Sequence, residues 1–205
     1  DLKDFKEEIY EKVQMIEGQL IVKEYPTKSA SCQTLKNHVE KLITRGFKPD
    51  MILVDYGDLL RPISTLREKR HELETIYEQL RAISQTYGCC VWTASQTNRS
   101  GLNAEVITME SISEAFNKCF VADFIFSISR TAEDKLANTG RIFVAKNRNG
   151  PDGLIYPIHM DTSNVTINVQ SSTGETIGEV KKEAKKRQEK KLIKLYKKTK
   201  KDGGK

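Results

Sequence analysis

The sequence predicts an α/β domain: a mostly parallel sheet flanked by helices, with an antiparallel extension toward the carboxyl end. Three observations carry this. Helical and strand-like patterns alternate as far as residue 121, and after Asp123 strand patterns follow one another between Gly, Asn and Pro turns. The stretch MILVDYGDLL (51–60) places four apolar residues in a row, the habit of a parallel strand covered on both faces, and runs straight into a carboxylate. With 205 residues and 38% apolar content, the chain can bury one sizeable core.

Residues 2–17 read as a helix, because Leu2, Phe5, Ile9, Val13 and Ile16 recur at three- and four-residue steps, and Gly18 stops it. QLIVKEYP (19–26) reads as a short strand closed by Pro26. Ser31 is placed to cap a helix carrying Leu35, Val39, Leu42 and Ile43 and ending near Gly46. After the strand 51–55, a long helix is expected over 66–87, with Leu73, Ile76, Tyr77, Leu80 and Ile83 on one face and Gly88 at its end. CCVWTAS (89–95) is the next strand, 97–108 a polar loop and 109–121 a helix. DFIFSISR (123–130), RIFVAKNR (141–148), GLIYPIHM (153–160) and VTINV (165–169) are the later strands. Residues 1–170 form one domain on this reading. Residues 171–205 are a linker followed by a lysine-rich helix or disordered tail.

No run of about 18 apolar residues predicts a membrane span, and no charged-then-apolar amino terminus predicts a signal peptide. The chain begins at Asp1, the expectation for a processed chain or a piece of a longer one. Cys32, Cys89, Cys90 and Cys119 lack CxxC spacing and read as buried reduced thiols of an intracellular protein. The net charge of +6 is uneven: residues 171–205 hold 13 Lys and Arg against 5 Asp and Glu, which leaves the rest at −2. Such a tail would bind phosphate backbones without reading sequence.

In open parallel sheets, ligands gather beyond the carboxyl ends of the strands. Three strand ends here carry polar groups: Asp55, then Ser95-Gln96-Thr97-Asn98-Arg99, then Lys146-Asn147-Arg148-Asn149-Gly150-Pro151. A carboxylate at a buried strand end needs a cation or a set of donors. Taken singly, Asp55 could cap the following turn, Gln96 could be a surface amide, and KNRNG could be a solvated hairpin with an Asn-Gly turn.

Taken together and in this order, VDYGDLL, SQTNR and AKNRNGPDG, with Ala122-Asp123 before its strand, resemble the later motifs of the DnaB-type replicative helicases. These are a hexameric branch of the RecA-like ATPases, and the resemblance covers residues 19–169. It implies a RecA-like P-loop NTPase core in an amino-terminally truncated fragment. The phosphate-loop strand is lacking, since no GxxxxGK[ST] occurs. That strand would lie between 89–95 and 123–129 and leave two edges unpaired.

By the same resemblance Asp55 is the Walker B aspartate holding the Mg²⁺ of Mg-ATP through water, and Gln96 senses the γ-phosphate. Lys146 and Arg148 act in trans on the neighbouring subunit's nucleotide. Arg99 and Lys118 fall where the family places DNA-contacting loops. Glu24 is not promoted to a catalytic role, and Asp58, where many relatives carry an amide, reads as a turn residue. The implied cofactors are ATP and Mg²⁺. The implied partners are single-stranded DNA, five further copies in a hexamer, a primase and a loader, in a bacterial or phage cytoplasmic replisome. The alternatives are another RecA-like ATPase, of recombinase or clock type, and a non-enzymatic DNA-binding scaffold with a degenerate core.

Overall fold

A computed structural model of the chain describes residues 2–15, 17–63, 68–97, 104–109 and 117–202. The order is α1 (Leu2–Gln14), α2 (Cys32–Thr44), β1 (Met51–Val54), a 3₁₀ turn (Gly57–Leu59), α3 (Lys69–Tyr87), β2 (Cys90–Thr93) and α4 (Asn117–Val121). Then come β3 (Phe124–Ser129), α5 (Ala132–Leu136), β4 (Thr139–Asn147), β5 (Ile155–Asp161), β6 (Thr166–Val169) and α6 (Ile177–Asp202).

The strands form two sheets. β1 and β2 pair in parallel, Met51 opposite Cys90 and Val54 opposite Thr93. β3-β4-β5-β6 form an antiparallel meander. No ladder joins β2 to β3, so the parallel and antiparallel parts are separate sheets and the two edges expected to lack a partner there are not paired with each other. What connects them is aromatic: the Trp92 ring meets Phe124 and Phe126 edge-on, with centroids 6.1 and 5.9 Å apart.

The parallel pair is covered on one face only, not both. Ile52, Val54 and Val91 pack against a core of Ala30, Cys32, Leu60, Ile76, Leu80 and Ile83 from α2, α3 and their loops. Met51 and Leu53 point the other way and are 52% and 70% exposed. A second core of Val106, Phe143, Ala145, Ile155 and Val180 lies where β4 and β5 meet the start of α6.

Local signals behave as expected where the partner is near in sequence. Ser31 Oγ accepts from the Thr34 amide while Thr34 Oγ1 accepts from the Ser31 amide, a reciprocal cap on α2. Gly88 takes the left-handed conformation that ends α3. Residues 19–26 are not a strand: they find no ladder among the described residues, and Leu20 and Val22 stand 85% and 81% exposed. α1 stops at Gln14, short of the expected residue 17, and its Phe5, Ile9 and Val13 stripe is exposed. α5 was not expected, although Thr131 and Asp134 cap it reciprocally. The tail is helical in α6, anchored by buried Val180. Cys90 is exposed, contrary to its expected burial, and Cys32, Cys89 and Cys119 are buried. Burial pushes the Cys32 thiol up to about 11, so it stays protonated and inert.

Candidate nucleotide-facing site

The end of β1 is built by close packing. Gly57 is buried, and a Cβ there would lie 3.3 Å from Thr93 Oγ1, 3.3 Å from the Tyr77 ring and 3.4 Å from Leu80, so the turn after Asp55-Tyr56 suits glycine. The Gly57 amide donates to Thr93 Oγ1 at 2.8 Å, and that hydroxyl donates to the Val54 carbonyl at 2.9 Å. One side chain of β2 thus fixes how the chain leaves β1.

Asp55 emerges from this turn exposed, and its carboxylate makes no hydrogen bond or ion pair among the described residues. Gln96, also exposed, donates from Nε2 to Tyr56 Oη at 2.9 Å, which ties it to the side chain that follows Asp55. No group of three or more His, Cys, Asp or Glu able to hold a metal occurs among the described residues. A lone, free carboxylate at a strand end does not make a protein cage. It fits Mg²⁺, which keeps several waters and takes one or two carboxylates plus substrate phosphate oxygens.

Behind these two residues lies a polar cluster that the sequence did not disclose. Asp58 accepts from Tyr77 Oη at 2.9 Å, from Ser95 Oγ at 3.2 Å and from Lys118 Nζ at 3.1 Å on each oxygen. Lys118 Nζ also donates to Ser95 Oγ at 2.7 Å and stands 5.3 Å from the Tyr77 ring centroid. Burial, then the Asp58 charge and its hydrogen bond, push the Tyr77 phenol well above its ordinary range. Asp58 is therefore more than a turn residue. Lys118, expected to contact DNA, is 3% exposed with its ammonium committed inside the fold, so it does not face outward. Arg99, the other DNA candidate, lies outside the described residues.

Lys146 and Arg148 gather at the other end of α4. Lys146 Nζ donates to the Cys119 and Phe120 carbonyls at 2.8 and 3.1 Å. Burial, then the neighbouring Arg148 charge, lower its pKa. Arg148 donates to the Phe120 carbonyl at 3.3 Å and pairs with Asp123 at 2.7 Å. Arg81, from α3, donates to the Val121 carbonyl and to Asp123. The structure thus ties Gln96 to Tyr56, the residue after Asp55, and brings Lys146 and Arg148 to the same carbonyl of α4. Among the described residues no hydrogen bond or ion pair joins the two groups, and α4 stands between them. An open cleft of about 390 Å³ lined by Lys23, His38, Lys41 and Arg45 shares no residue with either group.

A parallel β-α-β unit with an aspartate and an amide beyond its two strands is an α/β arrangement of the RecA-like kind. The chain belongs to the family of DnaB-like helicase C-terminal domains, whose model matches residues 2–162. It is 30% identical over 137 residues to a DnaB-like replicative helicase of Enterobacteria phage T4, covering 65% of this chain and 29% of that one. A solved ATPase domain superposes with a TM-score of 0.61 at 16% identity, over 69% of this chain and 52% of its own. A solved DnaB-like replicative helicase, described with its interactions with primase, gives 0.58 at 17%, over 65% and 34%. The chain spans less than a third of the phage relative's length. Among the described residues no helix is long and apolar enough to cross a membrane.

Proposed function

We propose that this chain supplies the magnesium-binding, sensing and trans-acting parts of a replicative DNA helicase motor. That motor couples ATP hydrolysis to translocation on single-stranded DNA and duplex unwinding in a bacterial or phage replisome. One observation supports the reading above others: Asp55 is exposed and unpaired at the strand end, with Gln96 tied to the adjacent Tyr56. Mg²⁺, when bound with ATP, would supply positive charge against the phosphates. Asp55 would orient the ion's water shell, and Gln96 would face the γ-phosphate. Arg148 would serve a neighbour in a homo-hexamer. Its pair with Asp123 is exposed, 47% at the arginine, and such pairs contribute about 0–1 kcal/mol, so that ion pair is a weak tether. Primase binding, known for a structural relative, belongs to the same proposal.

Two experiments test this. The 205 residues contain no GxxxxGK[ST], and so the chain alone should show no steady Mg-dependent ATP turnover; turnover abolished by Asp55→Ala would overturn the assignment of parts. In the longer helicase, Arg148→Ala should reduce hydrolysis by about 10³–10⁵, with far less effect on nucleotide affinity. Arg148→Lys should not restore it, because a point charge cannot replace the guanidinium fork. Mixing rings lacking Arg148 with rings lacking Asp55 should restore part of the activity. Mixed hexamers that stay inactive at every ratio would place Arg148 in cis.

A further inference from the structure

α4, Asn117–Val121, is held by side chains at both of its ends. At one end Lys118 is locked to Asp58 and Ser95. Ser95 directly precedes Gln96, and Asp58 follows Asp55 by three residues. At the other end the carbonyls of Cys119, Phe120 and Val121 are held by Lys146, Arg148 and Arg81. Among the described residues, the side chains that bond to α4 include neighbours of one proposed half-site, Asp58 and Ser95, and both members of the other, Lys146 and Arg148.

We propose that Lys118 is a positioning residue that couples the nucleotide state at Asp55 and Gln96 to the placement of Arg148, with α4 as the rigid link. The inference rests on the helicase-motor reading. A movement of Ser95-Gln96 pulls the Lys118 ammonium, which has three acceptor contacts and a ring face around it and almost no solvent. The displacement reaches the carbonyls at 119–121 within one helical turn. There it changes the contacts that keep Arg148 folded back on its own subunit. Packed elements of this kind shift between discrete arrangements instead of deforming smoothly. A lysine at this position suits a link better than an apolar residue, because its bonds to Asp58 and Ser95 are directional and depend on where those groups stand.

The test uses the longer, ATPase-competent helicase. Lys118→Met keeps the stem and removes the charge. Pairing it with Asp58→Asn avoids leaving a lone buried carboxylate. Lys118→Arg keeps the charge with altered reach. Expected for the double variant are nucleotide affinity within about twofold of wild type and a DNA-stimulated kcat lower by about 10- to 100-fold. Cooperativity in ATP should also be lost, at an unchanged melting temperature. In ring mixing, subunits with the double variant should fail to complement Arg148→Ala subunits, although their own Arg148 is intact. Wild-type kcat and complementation in the double variant would overturn the proposal. So would a loss that merely tracks melting temperature and returns to wild type in the folded fraction, because that identifies a structural pair. If wild type itself shows no Mg-dependent, DNA-stimulated hydrolysis, the helicase reading fails and takes this inference with it. That failure appears in wild type, not in the variants, so the two are distinguishable.

Discussion

β1 and β2 leave one face open, with Leu53 mostly in solvent and Trp92 half exposed. β4 has partners on both edges and buries Phe143, Val144 and Ala145 in succession. The difference follows from connection. Hairpins bring β4, β5 and β6 together over short turns, so that stretch of chain supplies its own neighbours. Parallel strands need a long crossover for each neighbour. α3 supplies one, and β2 is left without a second partner among the described residues. The chemistry divides in the same way. Asp55 is unpaired among the described residues at the open sheet and Gln96 is held by one exposed bond to Tyr56, whereas Lys146 is tied to two carbonyls at the closed one.

If the two halves are nearly separate cooperative units, a core truncation should weaken its own half selectively. Ile76 and Ile158 are each 1% exposed, one in the α2–α3 core and one in the meander. Truncating either to Ala should cost about 2–5 kcal/mol. Hydrogen exchange should show Ile158→Ala lowering protection in β3–β6 while α3 amides hold, and Ile76→Ala doing the reverse. Equal losses throughout would mean that the halves unfold as one, and the comparison would break.

The same contrast explains what the sequence could disclose. Asp134 draws its partners from within seven residues: Thr131, Thr139 and Arg141. Its T-x-x-D cap was there to be read, although residues 131–140 were left without a helix. The Ser31 cap, the Gly88 stop and the positions of β1, β2 and α3 were legible for the same reason, because periodicity and caps are local. Asp58 draws its partners from 19, 37 and 60 residues away. No spacing announces such a cluster, so Asp58 looked like a turn and Lys118 like a surface cation. QLIVKEYP has strand composition, but a strand exists only with a ladder partner, which its own sequence does not specify.

A smaller effect is expected at Asp134. Burial opposes its charge, but the Thr131 amide and hydroxyl, the Arg141 guanidinium and the Thr139 hydroxyl together hold its carboxyl below the ordinary range. A depressed folded-state pKa adds stability above the ordinary aspartate pKa of about 3.9, and that stability is lost as pH falls through the folded value. Asp134→Asn should cost about 1–3 kcal/mol at neutral pH. It should also flatten the acid side of the stability profile, read by urea unfolding between about pH 2 and 6. An unchanged acid limb would mean that the meander does not depend on this local network.

The smallest effect tests the bridge between the two regions. Trp92 is the chain's single tryptophan, and its edge contacts with Phe124 and Phe126 join β2 to β3, which share no ladder. Edge-to-face pairs contribute about 0.5–1.5 kcal/mol beyond area burial, much less than a buried core side chain. A double-mutant cycle with Trp92→Leu and Phe126→Leu isolates the pair, because each change keeps an apolar side chain of useful size. The expected coupling is about 0.5–1.5 kcal/mol in urea unfolding. Phe126→Leu should also alter Trp92 emission without touching the β1–β2 ladder. A coupling near zero, with unchanged emission, would mean that the two sheets merely lie side by side in the folded chain. A coupling several times larger would mean that the aromatics carry cooperativity between the halves, and hydrogen exchange in Ile158→Ala should then spread into α3.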